Sequence, residues 1–302
     1  MSDADFLTDA INRSGETRAD RQALAGMVAS AGAHQVDGAE APEISDGSIL
    51  NFALNLEYLE AEFYLRASGM TLPDELTTGA GTRGDVTGGR PVQFTNPVIR
   101  KFAAEIAADE RAHVAFLRKA LGGAAVSRPA ISLDQSFTAA AVAAGLIQPG
   151  ETFDAYANDL NFLFAAFLFE DVGVTAFKGA APFITNKTYL DAAAGLLATE
   201  AYHAGIVRTS LYNEGMIDDA VFCAVEKISA VRGAVDGVGT DDQAIGTAES
   251  INLVPTDAEG RAFGRSPEHI LNIVYLTTES VTSGGFYPDG LNGDLRRSAK
   301  TA

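Results

Sequence analysis

Residues 107–117 read AADERAHVAFL, and residues 198–207 read ATEAYHAGIV. Each stretch places a histidine three residues after a glutamate: Glu110 with His113, and Glu200 with His203. Positions three apart on an α-helix face the same way. Both pairs fall inside apolar stripes of helical period. The first stripe is Phe102, Ile106, Glu110, His113, Leu117 and Leu121; the second is Ala193, Leu196, Glu200, His203, Val207 and Leu211. The chain holds 4 histidines, and half of them sit in this pattern. A carboxylate on a buried stripe costs several kcal/mol unless it has partners, so these glutamates need something to bind.

Two further helices complete the pattern. One starts at Ser45-Asp46, both good N-caps, and runs to about Ser68 before Gly69. Leu50, Ala53, Leu54, Glu57, Ala61 and Tyr64 share its face; Glu60 lies near that face, and Glu62 points elsewhere. The other covers about Phe153–Ala180, with Leu163, Phe167, Glu170, Val174 and Phe177 in one stripe. Thr95-Asn96-Pro97 marks the start of the helix that carries Glu110, and Gly122-Gly123 its end. Asn186 caps the helix that carries Glu200. Along the chain the order is Glu57, then Glu110 with His113, then Glu170, then Glu200 with His203. This is the ligand set of di-iron and di-manganese carboxylate bundles. Carboxylates bridge hard divalent ions, and one imidazole per metal suits iron or manganese. The expectation is two such ions per chain, with open positions for water, dioxygen or peroxide.

The segment from Ser45 to Glu214 resembles the ferritin-like superfamily. In several of its members a tyrosine follows the first metal glutamate by seven residues. Glu57 and Tyr64 have that spacing, which selects Glu57 over Glu60 as the ligand and leaves Glu60 as an extra ligand or a partner of one. SDGSILNFALNLEYLEAEFY at 45–64, RSPEHILNIVY at 265–275 and GGFYPDGLNG at 284–293 are similar to the desiccation-related ferritin-like proteins of bacteria and plants. The resemblance implies an all-α, ferritin-like four-helix bundle with a long crossover. It also implies a stress-protective role, while the complete ligand set suggests action on peroxide or dioxygen, as a catalase or a ferroxidase. Tyr64 is then the candidate catalytic side chain, as hydrogen-bond donor to a ligand or electron donor to the metals. The other readings are a non-catalytic metal-binding stress protein whose ions hold the bundle together, and a structural or assembly protein that uses the bundle as a scaffold.

Three parts follow from this walk: an N-terminal arm at 1–44, the bundle at 45–215 and a loop-rich C-terminal extension at 216–302. The extension carries helices near Asp219–Arg232 and at Pro267–Leu276. Its turn at 284–293 should pack Phe286 and Tyr287 on the bundle. Residues 69–95, rich in Gly and Thr, read as a long loop of the kind that serves as a lid or binding element. Asp109 and Asp171 adjoin ligands but read as exposed or helix-pairing charges. Tyr202 reads as a core residue, and so does the lone Cys223. The Gly237–Asp242 run resembles a calcium loop too slightly to assign one. His34 and His269 read as structural or exposed.

Composition narrows the function classes. A net charge of -18 repels phosphate backbones, which excludes nucleic acid as a partner. One cysteine permits no intrachain disulfide, iron–sulfur cluster or cysteine-rich zinc site. No stretch approaches the roughly 18 apolar residues of a membrane span. Residues 18–33 have a short apolar run preceded by acidic residues, which reads as a helical arm rather than an export signal. The expected location is therefore the cytoplasm. A homodimer is the default assembly, because closed two-fold dimers are the commonest.

Overall fold

In the computed structural model, Ser45 opens helix α1 (Asp46–Ala67) by accepting the backbone N–H of Ser48 on its hydroxyl. The structure describes residues 44–238 and 241–302. The expected N-terminal arm, His34 included, lies outside the described residues. Asn96 caps α2 (Pro97–Leu121), with Pro97 in the first turn. Asn186 caps α5 (Lys187–Gly215). Each of these helices starts where the cap residues place it, because a side-chain oxygen there satisfies N–H groups that have no carbonyl to bond.

One long helix begins later than its apolar stripe suggests. The expected start was Phe153, and α4 runs Asp159–Ala180 from an Asn158 cap. Asp154 accepts the backbone N–H of Tyr156, and the Phe153 N–H donates to Thr138. That local turn takes the backbone groups a helix would need. The four long helices pair as α1 with α2 and α4 with α5, and the two pairs close through α1–α4 and α2–α5 contacts. The fold is all-α, with a long crossover from α2 to α4. Helix α4 corrects one expectation: by length and composition Asp159–Phe183 would pass for a membrane span. It is the core helix, with 78% of its most apolar stretch buried inside the protein.

The crossover carries a short helix, α3 (Gln135–Ala143), and a strand, Ile131–Leu133, that pairs in parallel with Val86–Gly88. Residues 69–95 are therefore no free lid. Backbone bonds from Ala80 to Ala125 and from Gly84 to Arg128 tie them to the crossover as well. An aromatic cluster fastens crossover and tail to the bundle. Phe63 stacks on Phe162, and Phe286 meets Phe137 and Phe169 edge-on with ring centroids about 5 Å apart. Phe286 and Tyr287 are buried as the turn chemistry implied, and the Tyr287 hydroxyl donates to the Asn55 carbonyl at 2.8 Å.

Two more helices, α6 (Ala220–Asp236) and α7 (Pro267–Tyr275), pack beyond α4 and α5. They are locked by buried ion pairs. Asp171 accepts from Arg208 at 2.8 Å and Arg232 at 2.9 Å, while Arg265 pairs with Asp236, Asp241 and Asp242. Asp171 is therefore the helix-pairing charge of the two expected readings, and it is buried. The acids of the Gly237–Asp242 region are engaged by arginines rather than gathered for calcium. Cys223 is exposed, against expectation: α6 buries Val221, Phe222 and Val225 and turns Cys223 outward. Tyr202 is 75% exposed for the same reason, since its neighbour His203 takes the inward position on α5.

Candidate metal centre

Glu57, Glu110, His113, Glu170, Glu200 and His203 all come to one place in the interior of the bundle, each nearly or wholly buried. The helical register explains the convergence. Each side chain projects from the middle of a long helix toward the common axis, and the two three-residue pairs align glutamate with histidine along α2 and α5.

The atoms gather into two overlapping groups. One atom each of Glu57, Glu110, His113 and Glu200 lie within 4.8 Å of one another, and so do atoms of Glu170, Glu200 and His203. His113 Nδ1 stands 3.2 Å from Glu57, 3.3 Å from Glu200 and 3.6 Å from Glu110. His203 Nδ1 stands 3.1 Å from Glu110 and 3.7 Å from Glu170. Glu200 therefore belongs to both groups, and Glu110 of the first stands beside His203 of the second, whereas Glu57 belongs to one group and Glu170 to the other. The imidazole centroids are 6.2 Å apart.

Many of these atoms have no hydrogen bond. Glu57 Oε1, both oxygens of Glu110, Glu170 Oε2, both oxygens of Glu200 and His203 Nδ1 are buried without one. Such atoms ordinarily cost about 1–3 kcal/mol apiece, more when charged. Oxygen and imidazole nitrogen donors facing a common point suit hard divalent cations. The residues present fit bound metal, and Glu200 belongs to both groups.

Burial pushes Glu57, Glu60 and Glu170 well above the usual carboxylate range and raises Glu200. It acts on Glu110 too, but the imidazoles on either side outweigh it and hold that carboxyl at about 2. Burial also disfavours charged imidazoles, yet the surrounding carboxylates raise His203 to about 10 and shift His113 in the same direction. Without cations the cluster thus keeps protons, and a cation that enters displaces them.

Other residues meet expectation in part. Tyr64 donates its hydroxyl to Glu170 Oε1, reaching across to α4 rather than back to Glu57. Glu60 is buried and feels Glu200, Glu110, Glu170 and Glu57, so it faces the cluster. Glu62 points away to Arg66, at 2.9 Å, and to Arg128. Asp109, expected as an exposed or helix-pairing charge, is both: its side chain is 45% exposed and it reaches across from α2 to α5. It lies 3.2 Å from His203 Nε2, the ring nitrogen opposite the cluster. Its one signal for that contact is position: it precedes Glu110 on α2 and can reach the neighbouring α5. Asp171 has the same position relative to Glu170 and turns the other way, to the arginines.

The family described as the ferritin-like domain matches residues 45–213. A desiccation-related protein of Craterostigma plantagineum is 31% identical over 268 residues, covering 82% of this chain and 83% of its own length. A ferritin-like catalase of Nesocodon mauritianus is 27% identical over 273 residues, covering 84% of this chain and 85% of its own. No solved structure matches significantly.

Proposed function

Because the chain belongs to the ferritin-like domain family, we propose that it is a stress-protective protein that holds two iron or manganese ions and disproportionates hydrogen peroxide. The observation that carries this reading is the pair of ligand groups that overlap at Glu200, with Glu110 of the first group beside His203 of the second and orphaned oxygens aimed between them. The catalase among the relatives supports peroxide as the substrate, and the desiccation-related relative supports the stress role.

Iron or manganese there would supply reversible storage of two electrons. One peroxide takes two electrons and two protons to give two waters. A second peroxide returns two electrons and two protons and leaves as dioxygen, so atoms and charge balance over the cycle. The chain's own groups handle the protons. Glu60 is held protonated by burial and faces Glu200, with no cation paired to it among the described residues. It can give a proton when peroxide is reduced and recover one when peroxide is oxidised. Tyr64 holds Glu170 by its hydroxyl and keeps that carboxylate oriented. The apolar walls of the bundle exclude bulk water, which strengthens each of these interactions.

The Tyr64–Glu170 hydrogen bond favours a second reading, oxidation of ferrous iron by dioxygen, since a tyrosine so placed can lend an electron. Metal-loaded protein challenged with hydrogen peroxide and, separately, with ferrous iron in air separates the two. Dioxygen release supports the first and ferric iron formation the second. If neither occurs while chelation lowers the melting temperature, the ions only brace the bundle. Elemental analysis showing no iron or manganese would sink all three.

A further inference from the structure

Three glycines inside the long helices are explained by what lies against them. A Cβ on Gly173 would stand 2.9 Å from Glu200 Oε2, one on Gly179 would strike the Arg265 carbonyl, and one on Gly215 would meet the Phe222 ring at 2.7 Å. Gly195 and Gly205 of α5 differ. A Cβ on either would have no heavy atom within 4 Å. Glycine in a helix interior is destabilising relative to alanine, so α5 gives up helix stability at both positions. No neighbour among the described residues uses the space that this leaves.

Both glycines lie on a seam along the outer side of α5. It runs Asp191, Gly195, Ala198, Tyr202, Gly205 and Thr209, alternately four and three residues apart. That is the spacing by which one helix packs lengthwise on another. The seam is exposed, Gly205 in part. From 192 to 213 the only charged or imidazole side chains are Glu200, His203 and Arg208, and all three are buried. The outer face of this stretch is therefore uncharged on a chain of net charge -18. Along its C-terminal half runs a groove of about 850 Å³, walled by Val98 and Phe102 of α2 and by Leu253 and Val254.

We propose that α5 packs antiparallel on α5 of a second copy of this chain, with the two-fold axis level with residue 200. The seam is symmetric in chemistry about that level. Gly195 and Gly205 lie five residues to either side, so each comes level with the other in the second copy and the backbones can approach closely. Ala198 and Tyr202 lie two residues to either side, so the large side chain of each copy meets the small one of the other. Asp191 and Thr209 lie nine to either side, where the hydroxyl can donate to the carboxylate. The slim N-terminal half of α5, with Ala194, Gly195 and Ala198 outward, then lies over the groove of the other copy. One two-fold axis fills both grooves at once. An unrelated partner would need neither this symmetry nor a groove and its filling on the same helix. Charge favours the same face, because two chains of -18 repel wherever their acidic surfaces meet.

Sedimentation equilibrium of the full-length protein at micromolar concentration should show the mass of two chains. Gly205→Leu puts a side chain into the space left open on α5, where no neighbour in the same chain is displaced. It should raise the dissociation constant at least tenfold while the helical circular dichroism stays that of wild type. A cross-link locates the contact. In a Cys223→Ser background, which removes the exposed native thiol, Gly195→Cys with Gly205→Cys should join two chains by disulfides under mild oxidation. Ala104→Cys, on the exposed side of α2, should not. A monomeric wild type overturns the proposal and leaves the face to another occupant. A dimer indifferent to Gly205→Leu, with no cross-link between 195 and 205 or one no faster than at 104, overturns it by placing the interface elsewhere. Where Gly205→Leu fails to fold or disagrees with the cross-link, the cross-link decides.

Discussion

His203 is held at both ends of its ring: Nε2 lies 3.2 Å from Asp109 Oδ2, and Nδ1 lies 3.1 Å from Glu110 Oε1. Both carboxylates come from α2 and are consecutive in sequence. The outer one orients the imidazole, so that its inner nitrogen faces the cluster.

Asp109→Ala should therefore weaken metal binding although Asp109 touches no proposed metal position. Outer-shell carboxylates of this kind are worth about 10–100-fold in metal affinity. Isothermal titration of the apo protein with ferrous or manganous ion would measure it. An affinity equal to wild type would mean that the ring needs no orienting partner.

Glu57→Ala, Glu170→Ala, His113→Ala and His203→Ala should each lower metal content, because each removes a donor atom from one of the two groups. Glu62→Ala makes the control. It should leave metal content intact yet destabilise the fold by about 3–5 kcal/mol, because it strands the buried Arg128 without its partner. Glu60→Ala should lower metal content only modestly. Elemental analysis and chemical denaturation of the same samples keep the two effects apart. A full site in Glu57→Ala beside an empty one in Glu60→Ala would shift the register of α1 by one turn.

Tyr64→Phe keeps the ring and removes the one donor to Glu170 Oε1. Metal content should survive, with a loss of about 1.5–3 kcal/mol in stability, typical of a hydrogen bond to a charged group. If Tyr64 also lends electrons, a tyrosyl radical seen by electron paramagnetic resonance after oxidation should vanish in this variant. A radical of undiminished intensity would move that role to another residue.

Removing metal should cost more stability at pH 8 than at pH 5. In the apo protein Glu57, Glu170 and Glu200 have pKa values raised above 4.5, so they contribute stability that fades as pH rises past that value. His203, raised from 6.5 to about 10, loses its contribution as pH climbs through that interval, and His113 acts in the same sense. Glu110, lowered to about 2, works oppositely, but only below 4.5. The contributions of Glu57, Glu170, Glu200 and the two histidines thus fall from pH 5 to pH 8 in apo protein while that of Glu110 stays level, whereas bound cations replace those protons. Melting curves with and without chelator at both pH values provide the measurement. Equal losses would count against a buried carboxylate site.

Much of the site was legible because helices convert spacing into direction. Glu110 and His113 sit on one face whatever surrounds them, and so do Glu200 and His203. The caps at Ser45, Asn96 and Asn186 were legible because capping is a contact within a few residues. Asp154 shows where local reading stopped. Its turn with Tyr156 outweighed the apolar pattern and delayed α4 to Asp159. Cys223 and Tyr202 were misplaced because residue type alone does not say which side of a helix meets the core.

By itself the sequence determined the helices, their caps, the inward stripes and which side chains could become ligands, since all of these depend on near neighbours along the chain. Only the tertiary structure decided which ligands share a partner. Glu200 belongs to both groups and Glu110 meets His203 because α2 and α5 lie side by side, a relation between segments 90 residues apart that no local pattern encodes. The same holds for Asp109 turning to His203 while Asp171 turns to Arg208 and Arg232. Local backbone physics sets direction; packing between distant segments sets what each side chain meets.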